Sequence, residues 1–547
     1  MTTRQETSTD PMAAYAALVG PGGPYEMEQV EVLGTMLPVY KNRQRALHEV
    51  LAGSVVHGDR VYLATADDQV TFADHAARVS SLAHELATTH GVRRGDTVAI
   101  SGANTIEWIE TFWAVVSLGA VAVAFNAWWS DREVEHAVGL TGPVLGIADA
   151  KRVDALRRHD VPVLTFDDVT RLRTAHPDAP LPSAEVAEDD PAAVIFTSGT
   201  SGRPKGATHS HRNLLAVVEY HRMNDALMAA FGDPTDPRDR SYLLASPLFH
   251  IASLHNLAIP RLATGSKVAL HTGAFDVERI YALIEQEKVT NWGAVPTMAS
   301  RMLDAGIADR FDLSSLRAFS LASAPSSQAF KQRLRDGLPF ATALVDSYGL
   351  TETCTGVSVA TAADLAESPG TLGRPTYGVQ MEIRDALGKA LGPGEEGEVC
   401  VRSCYNMVGY WRNEEATEAA IREDRWLHTG DLGELDEQGR LRLSSRRSDL
   451  IIRGGENVYP VEVESALAEH PQVVECMVYG VAHDDLGQEV AVVVVHGDEA
   501  PTVEELTDWL KQEIAYYKVP AHWTLTTTPL VRNATGKVVR AAVLGQA

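Results

Sequence analysis

From about residue 60 onward, short apolar runs alternate with stretches of helical period, and few folds accept that alternation. VYLAT reads as a strand, Phe72 to Ala87 as an amphipathic helix, DTVAIS as another strand, and WIETFWAVVSLGAVAV as a helix followed by a strand. Strands separated by helices build parallel sheets covered by helices. At 547 residues the chain exceeds one ordinary core, so two or more domains are expected. A Pro-, Ala- and acid-rich connection, Asp178 to Ala193, leads into VIFTSGTSGRPKG, a strand followed by a loop, and a second α/β stretch runs from about 205 to 345. Frequent Gly and Pro with the short strands MEIRDA, EVCVRS and LRLSSR then predict a smaller all-β piece near 370–445. From about Asp449 the pattern is strand, helix, strand, strand, helix, a compact α+β domain. Residues 1–40, with the turn-rich VGPGGPYE, read as an arm that packs late or is partly mobile.

The charge balance narrows the partners. Lys and Arg total 48 against 73 Asp and Glu, a net −25, which argues against nucleic acid, since backbone binding needs a basic face. Any polyanionic ligand must therefore be held by local positive charge and backbone N–H groups. Cys354, Cys400, Cys404 and Cys476 form no CxxC pair and read as free thiols in a reducing compartment; Cys400 and Cys404 are expected on one short strand. The polar start MTTRQETSTDPM is no signal peptide, and no run approaches ~20 apolar residues, so a cytoplasmic protein without a membrane span is expected.

TSGTSGRPKG carries the first chemistry. Thr197, Ser198, Thr200 and Ser201 crowd four hydroxyls around Gly199 and Gly202, and Lys205 follows. Glycines let backbone N–H groups approach an anion, and hydroxyls add donors. The spacing differs from the GxxxxGK[ST] phosphate loop, and Pro204 interrupts it. The plainer reading is a flexible surface loop, but a linker would not follow the apolar strand AAVIF and carry a lysine.

This loop resembles the phosphate loop of the adenylate-forming enzymes: acyl- and aryl-CoA synthetases, luciferases and peptide-synthetase adenylation domains. Further motifs of that family follow in order from about residue 60 to 540. SYGLTET, Ser347 to Thr353, is similar to its YGxTE; WLHTGDLG, Trp426 to Gly433, to its TGD; SRRSDLIIRGGENVYPVEVE, Ser445 to Glu464, to its hinge and glycine-rich loop; and NATGKVVR, Asn533 to Arg540, to its C-terminal GK. The resemblance implies a large N-terminal domain, residues 1–445, of two doubly wound α/β sheets plus a small β-barrel-like subdomain. It also implies a hinge at 446–448 and a small mobile α+β domain at 449–547.

The resemblance also implies two half-reactions. A carboxylate attacks the α-phosphorus of ATP to give acyl-AMP and pyrophosphate, and a thiol, usually that of CoA, displaces AMP. Charge gathers on phosphate oxygens in the first step, so catalysis rests on positioning and electrostatics. By the same match Lys537 reaches the α-phosphate and carboxylate, Thr351 lies beside the α-phosphate, and Glu352 holds Mg2+, which commonly takes one or two carboxylates plus phosphate oxygens. Ser347, Tyr348 and Gly349 lie against adenine and substrate, as does the loop holding Ser323, Ala324 and Pro325. In that loop Ala322 replaces the family's usual glycine. Asp431 accepts from the ribose hydroxyls and Arg446 donates to them. Ser448 stands at a hinge position that is commonly Lys or Asp. Gly454 and Gly455, with Glu456 shaping their loop, line a tunnel for the CoA pantetheine.

His250, in SPLFHIASLH, falls at the mouth of the family's acyl pocket, where it gates the carboxylate and acts in thioester formation; a satisfied core histidine is the plainer alternative. Trp292, Gly293, Val295 and Gly349 join it in that pocket. No lysine or arginine falls at these positions, and the neighbouring run Ile251 to Ile259 is apolar, so an apolar acid follows. The expected activity is an ATP-, Mg2+- and CoA-dependent acyl-CoA synthetase for an apolar, fatty carboxylic acid. An aryl-acid CoA ligase or an amide-forming synthetase shares the same adenylation chemistry, and a non-catalytic adenylate-binding sensor would have lost the catalytic residues. Monomer and homodimer stay equally open.

Overall fold

The computed structural model describes residues 11–197, 204–321, 328–341, 344–446, 449–453, 456–483, 486–533 and 538–544. Thr97–Ser101 and Val121–Phe125 are buried at every position, as apolar runs covered on both faces must be. They are central strands of a seven-stranded sheet. Leu145–Ala148, Val163–Thr165 and Pro191–Thr197 join them in parallel. Lys205–Ser210 then turns back antiparallel to Pro191–Thr197, and the two-residue strand Gly409–Tyr410 pairs antiparallel at the edge.

A second, six-stranded sheet runs in the order Ala318–Leu321, Asn291–Ala294, Ser241–Leu244, Lys267–Leu270, Val61–Ala64, Gln69–Thr71. Only its last pair is antiparallel. VYLAT and DTVAIS, neighbours in the alternating pattern, therefore lie in different sheets. Between them runs the helix Phe72–Thr88, opened by Thr71, whose hydroxyl accepts the Asp74 N–H at 3.0 Å. The main core spans both sheets: Ile100 and Ala122 from the first pack in one cluster with Tyr62, Leu244 and Val268 from the second, with Phe72, Trp108, Phe112 and Trp113 among them. Trp108, Phe112 and Trp113 lie on Ile106–Ser117, a helix buried nearly all round.

The all-β piece is a four-stranded antiparallel sheet of Gln380–Arg384, Gly397–Arg402, Leu427–Leu435 and Leu441–Arg446. A three-stranded sheet, Ser347–Gly349, Gly356–Val359 and Arg374–Pro375, stands beside it in the chain. The last unit pairs Val473–His483 with Gly487–His496, adds Ile451–Arg453, Glu456–Val458 and His522–Thr526, and packs the helices Pro460–Ala468 and Val503–Glu513 on one apolar cluster.

Two expectations change. The described part of the N-terminal arm is ordered structure: a helix, Pro11–Val19, and a hairpin, Met27–Val32 with Thr35–Tyr40, turned by Leu33 and Gly34 at positive φ. Leu37, Val39 and Tyr40 are buried, and the Tyr40 hydroxyl bonds that of Tyr405 at 2.9 Å, so apolar side chains fasten the arm to the body. Cys404 lies beyond the end of Gly397–Arg402, so it does not share a strand with Cys400. All four cysteines are free thiols. Among the described residues no helix is long and apolar enough to cross a membrane.

Candidate active site

The glycine- and hydroxyl-rich loop is held at both ends by one strand pair. Thr197 and Lys205 face each other in register across Pro191–Thr197 and Lys205–Ser210. Ser198, Gly199, Thr200, Ser201 and Gly202 lie outside the described residues, as do Ser323, Ala324, Pro325, Ser448, Gly454, Gly455 and Lys537.

The Lys205 ammonium stands over the ring of Tyr410, 5.1 Å from its centre. Tyr410 reaches this place because Gly409–Tyr410 closes the sheet edge: Ala207 pairs with Tyr410, and the Trp411 N–H donates to the Gly206 carbonyl at 2.7 Å. The Tyr410 hydroxyl then donates to Glu352 Oε1 at 2.7 Å. Glu352 is half-buried, and its carbonyl accepts the Met407 N–H at 2.8 Å. Its second carboxylate oxygen has no hydrogen-bond partner among the described residues, which suits a hard cation. Tyr410 has no signal of its own in GYW; only the long-range pairing gives it a role.

Thr351 and Glu352 belong to a 3-10 turn, Thr351–Thr353, after the strand Ser347–Gly349. The Leu350 N–H donates to the Thr353 hydroxyl at 2.8 Å, which fixes the turn's start. Gly349 is required by contact: a β-carbon there would lie 2.5 Å from the Thr355 carbonyl oxygen and 2.8 Å from the Gly356 Cα. Asn256 holds the far side, donating to the Cys354 carbonyl at 3.1 Å and accepting from the Thr355 hydroxyl at 2.5 Å.

The same strand carries a second contact. The hydroxyl of buried Tyr348 donates to Asp431 Oδ2 at 2.6 Å. Asp431 is itself buried, and its N–H donates to the Thr429 hydroxyl at 3.1 Å. Behind this turn Glu398 accepts the Gly430 N–H at 3.1 Å and lies 3.0 Å from His428 Nδ1. Burial and the Glu398 charge push the neighbouring Cys400 thiol up to about 12. The backbone of Arg446 pairs with Asp431 across Leu427–Leu435 and Leu441–Arg446. The SYGLTET and TGD segments, 83 residues apart at Tyr348 and Asp431, thus meet at one hydrogen bond.

His250 lies after the strand Ser241–Leu244 in a loop anchored by Asn104, which donates to the Ser246 carbonyl and accepts the Leu248 N–H, each at 2.9 Å. Its ring is 4.7 Å from that of Phe249, and the exposed Trp128 meets Phe249 edge-on at 5.2 Å. Trp292 and Val295 are buried in the second apolar cluster, Trp292 against Phe319, while Gly293 is exposed. Glu456 is exposed at the start of Glu456–Val458.

The profile of the AMP-binding enzyme family matches residues 53–411, and that of the AMP-binding enzyme C-terminal domain matches residues 462–537. A feruloyl-CoA synthase of Amycolatopsis sp is 35% identical over 479 residues, covering 87% of this chain and 93% of its own. A long-chain-fatty-acid–CoA ligase of Mycobacterium tuberculosis is 30% identical over 491 residues, covering 88% and 93%. The o-succinylbenzoate CoA synthetase of Bacillus subtilis, solved with its acyl-adenylate intermediate, superposes with a TM-score of 0.80 at 31% identity over 92% of this chain and 98% of its own. The same synthetase solved with ATP and a magnesium ion gives 0.78 at 31% identity, over 91% and 99%. The chain belongs to the AMP-binding enzyme family, within the adenylate-forming superfamily and its AMP-forming acid–thiol ligases.

Proposed function

We propose that the chain is an ATP- and Mg2+-dependent acyl-CoA synthetase that activates an apolar, fatty carboxylic acid. The acid's carboxylate oxygen attacks the α-phosphorus of ATP, the bond to pyrophosphate breaks, and acyl-AMP forms. The CoA thiol then attacks the acyl carbonyl, loses its proton, and AMP leaves. The observation that carries this reading is the cluster of Lys205, Tyr410 and Glu352 beside the Thr197–Lys205 loop: a cation and an oriented carboxylate where a metal–triphosphate would lie. Glu352 would hold Mg2+, which would supply positive charge to the phosphate oxygens. Tyr410 orients Glu352, Lys205 offers a further positive charge to the phosphates, and Asp431, oriented by Tyr348, receives the ribose. Lys537 serves the α-phosphate and carboxylate in the first half-reaction. Residues 449–547 then turn about Ser448, bringing Gly454 and Gly455 to the pantetheine.

A second reading, an aryl acid, is favoured by the aromatic group Trp128, Phe249 and His250 and by the feruloyl-CoA synthase among the relatives. The test is AMP release from ATP and Mg2+, with and without CoA, across acids from acetate to long-chain fatty acids plus benzoates and cinnamates. CoA-dependent release with aliphatic acids supports the first reading, and release with cinnamates or benzoates alone supports the second. Pyrophosphate exchange unaffected by CoA would move the acceptor to an amine or a carrier protein. No turnover with any acid contradicts both.

A further inference from the structure

Three backbone irregularities converge behind the Thr351–Thr353 turn. The pairing of Pro191–Thr197 with Lys205–Ser210 shifts register between His209 and Ser210. His255 lies in a π-helical turn, Leu254–Ala258, a geometry that concentrates at functional sites. Cys354 has φ 62°, in the left-handed region that a β-carbon disfavours. Each irregularity delivers one donor side chain into the same space. Cys354 Sγ is 3.3 Å from His255 Nδ1, the two imidazoles meet edge to face with centres 4.8 Å apart, and one donor atom from each residue lies within 4.8 Å of the others.

All three side chains are fully buried. Neither ring nitrogen of His209 meets hydrogen-bond geometry with a described residue, although the Thr351 backbone lies beside the ring. An orphaned buried polar group costs about 1–3 kcal/mol, and native interiors keep few of them without a ligand or ordered water. A second histidine–cysteine cluster among the described residues, Glu398, Cys400 and His428, differs in this respect: His428 faces Glu398 at 3.0 Å, and Glu398 also takes the Gly430 N–H.

We propose that His209, His255 and Cys354 bind one soft transition-metal ion, Zn2+, at a site separate from the Mg2+ carboxylate. Two imidazoles and a thiolate select zinc or cuprous copper over the hard cations that carboxylates take. Tetrahedral zinc, with bonds of about 2.0–2.3 Å, places its donors roughly 3.3–3.8 Å apart. The Cys354 Sγ–His255 Nδ1 pair stands at that spacing, and the widest pair, within 4.8 Å, would have to close by up to about 1 Å. The thiol proton passes to solvent as the metal binds, and a fourth position stays open. Cys354 follows Glu352 by two residues, so the ion braces the turn that presents Thr351 and Glu352.

The test uses the full-length protein, stripped with a chelator, exposed to Zn2+ and freed of loose metal. About one zinc per chain is expected to remain, and Co2+ in its place gives a thiolate-to-cobalt absorption band. Cys354→Ser loses both, whereas Cys400→Ser keeps both. No retained zinc, which would leave the space to water, overturns the site; so does a band that survives Cys354→Ser or vanishes in Cys400→Ser. Should Cys354→Ser fail to fold, X-ray absorption of the zinc-loaded wild type decides: one sulfur with imidazole nitrogens is expected, and a shell without sulfur or with two sulfurs overturns the proposal.

Discussion

The hydroxyl of Tyr410 donates to the carboxylate of Glu352 at 2.7 Å, joining two segments 58 residues apart. A hydrogen bond to a charged group contributes about 1.5–3 kcal/mol, so Tyr410→Phe is expected to lower kcat/KM for adenylation about 10- to 100-fold. The loss should appear first as a higher Mg2+ requirement, because Glu352 loses its orientation. Pyrophosphate exchange measured against Mg2+ concentration checks this, and an unchanged Mg2+ curve in a folded variant counts against the role.

Tyr410 also marks where sequence reading ends. Glycine-, hydroxyl- and carboxylate-bearing motifs announce themselves because their residue types carry the chemistry, and SYGLTET and TGD do meet, at Tyr348 and Asp431. The burial of DTVAIS and of the strand in LGAVAV follows from continuous apolar runs. Gly409–Tyr410 is two residues long and exists only because Lys205–Ser210 offers an edge, so no local pattern predicts it. Val61–Ala64 does read as a strand, but its partner Lys267–Leu270 lies some two hundred residues away, so its place in the second sheet does not. The hairpin Met27–Tyr40 was hidden because its strands are only partly apolar and find their burial against the body.

Gly349→Ala tests the fit of the turn. Its β-carbon would lie 2.5 Å from the Thr355 carbonyl oxygen, so the backbone must move. Overpacking costs about 1–3 kcal/mol, which displaces Thr351 and Glu352 without unfolding the chain. The expected outcome is at least a tenfold loss of adenylation (about 1.4 kcal/mol or more in the barrier) with circular dichroism unchanged. Wild-type rates would show that the turn tolerates the shift.

Lys537→Ala separates the half-reactions. By analogy with removing one donor to developing charge, adenylation should fall about 10²- to 10³-fold or more. Thioester formation from preformed acyl-adenylate should fall much less. Stopped-flow or quench measurements of each half-reaction distinguish them, and equal losses in both would deny Lys537 a role specific to adenylation.

Stability should depend on acidity through His75. Burial, with Arg78 nearby, pushes its imidazole down from 6.5 to about 3. The unfolded chain therefore takes up a proton that the folded chain refuses. The stability present above pH 6.5 is lost as pH falls from 6.5 toward about 3. His75→Phe, which keeps an aromatic ring against Tyr62, removes that titration. Its unfolding free energy should fall less steeply with acidification, by about 1.4 kcal/mol per pH unit within the window. Urea midpoints of both proteins across that range provide the comparison, and parallel slopes would refute the assignment.

Activation of the acid as an adenylate underlies both half-reactions. Its most direct test is a single turnover with an acid whose carboxylate oxygens are heavy-isotope labelled, read by mass spectrometry of the nucleotide. Attack on the α-phosphorus carries one carboxylate oxygen into AMP, so singly labelled AMP is predicted. Label in pyrophosphate or inorganic phosphate, with unlabelled AMP, would contradict the account.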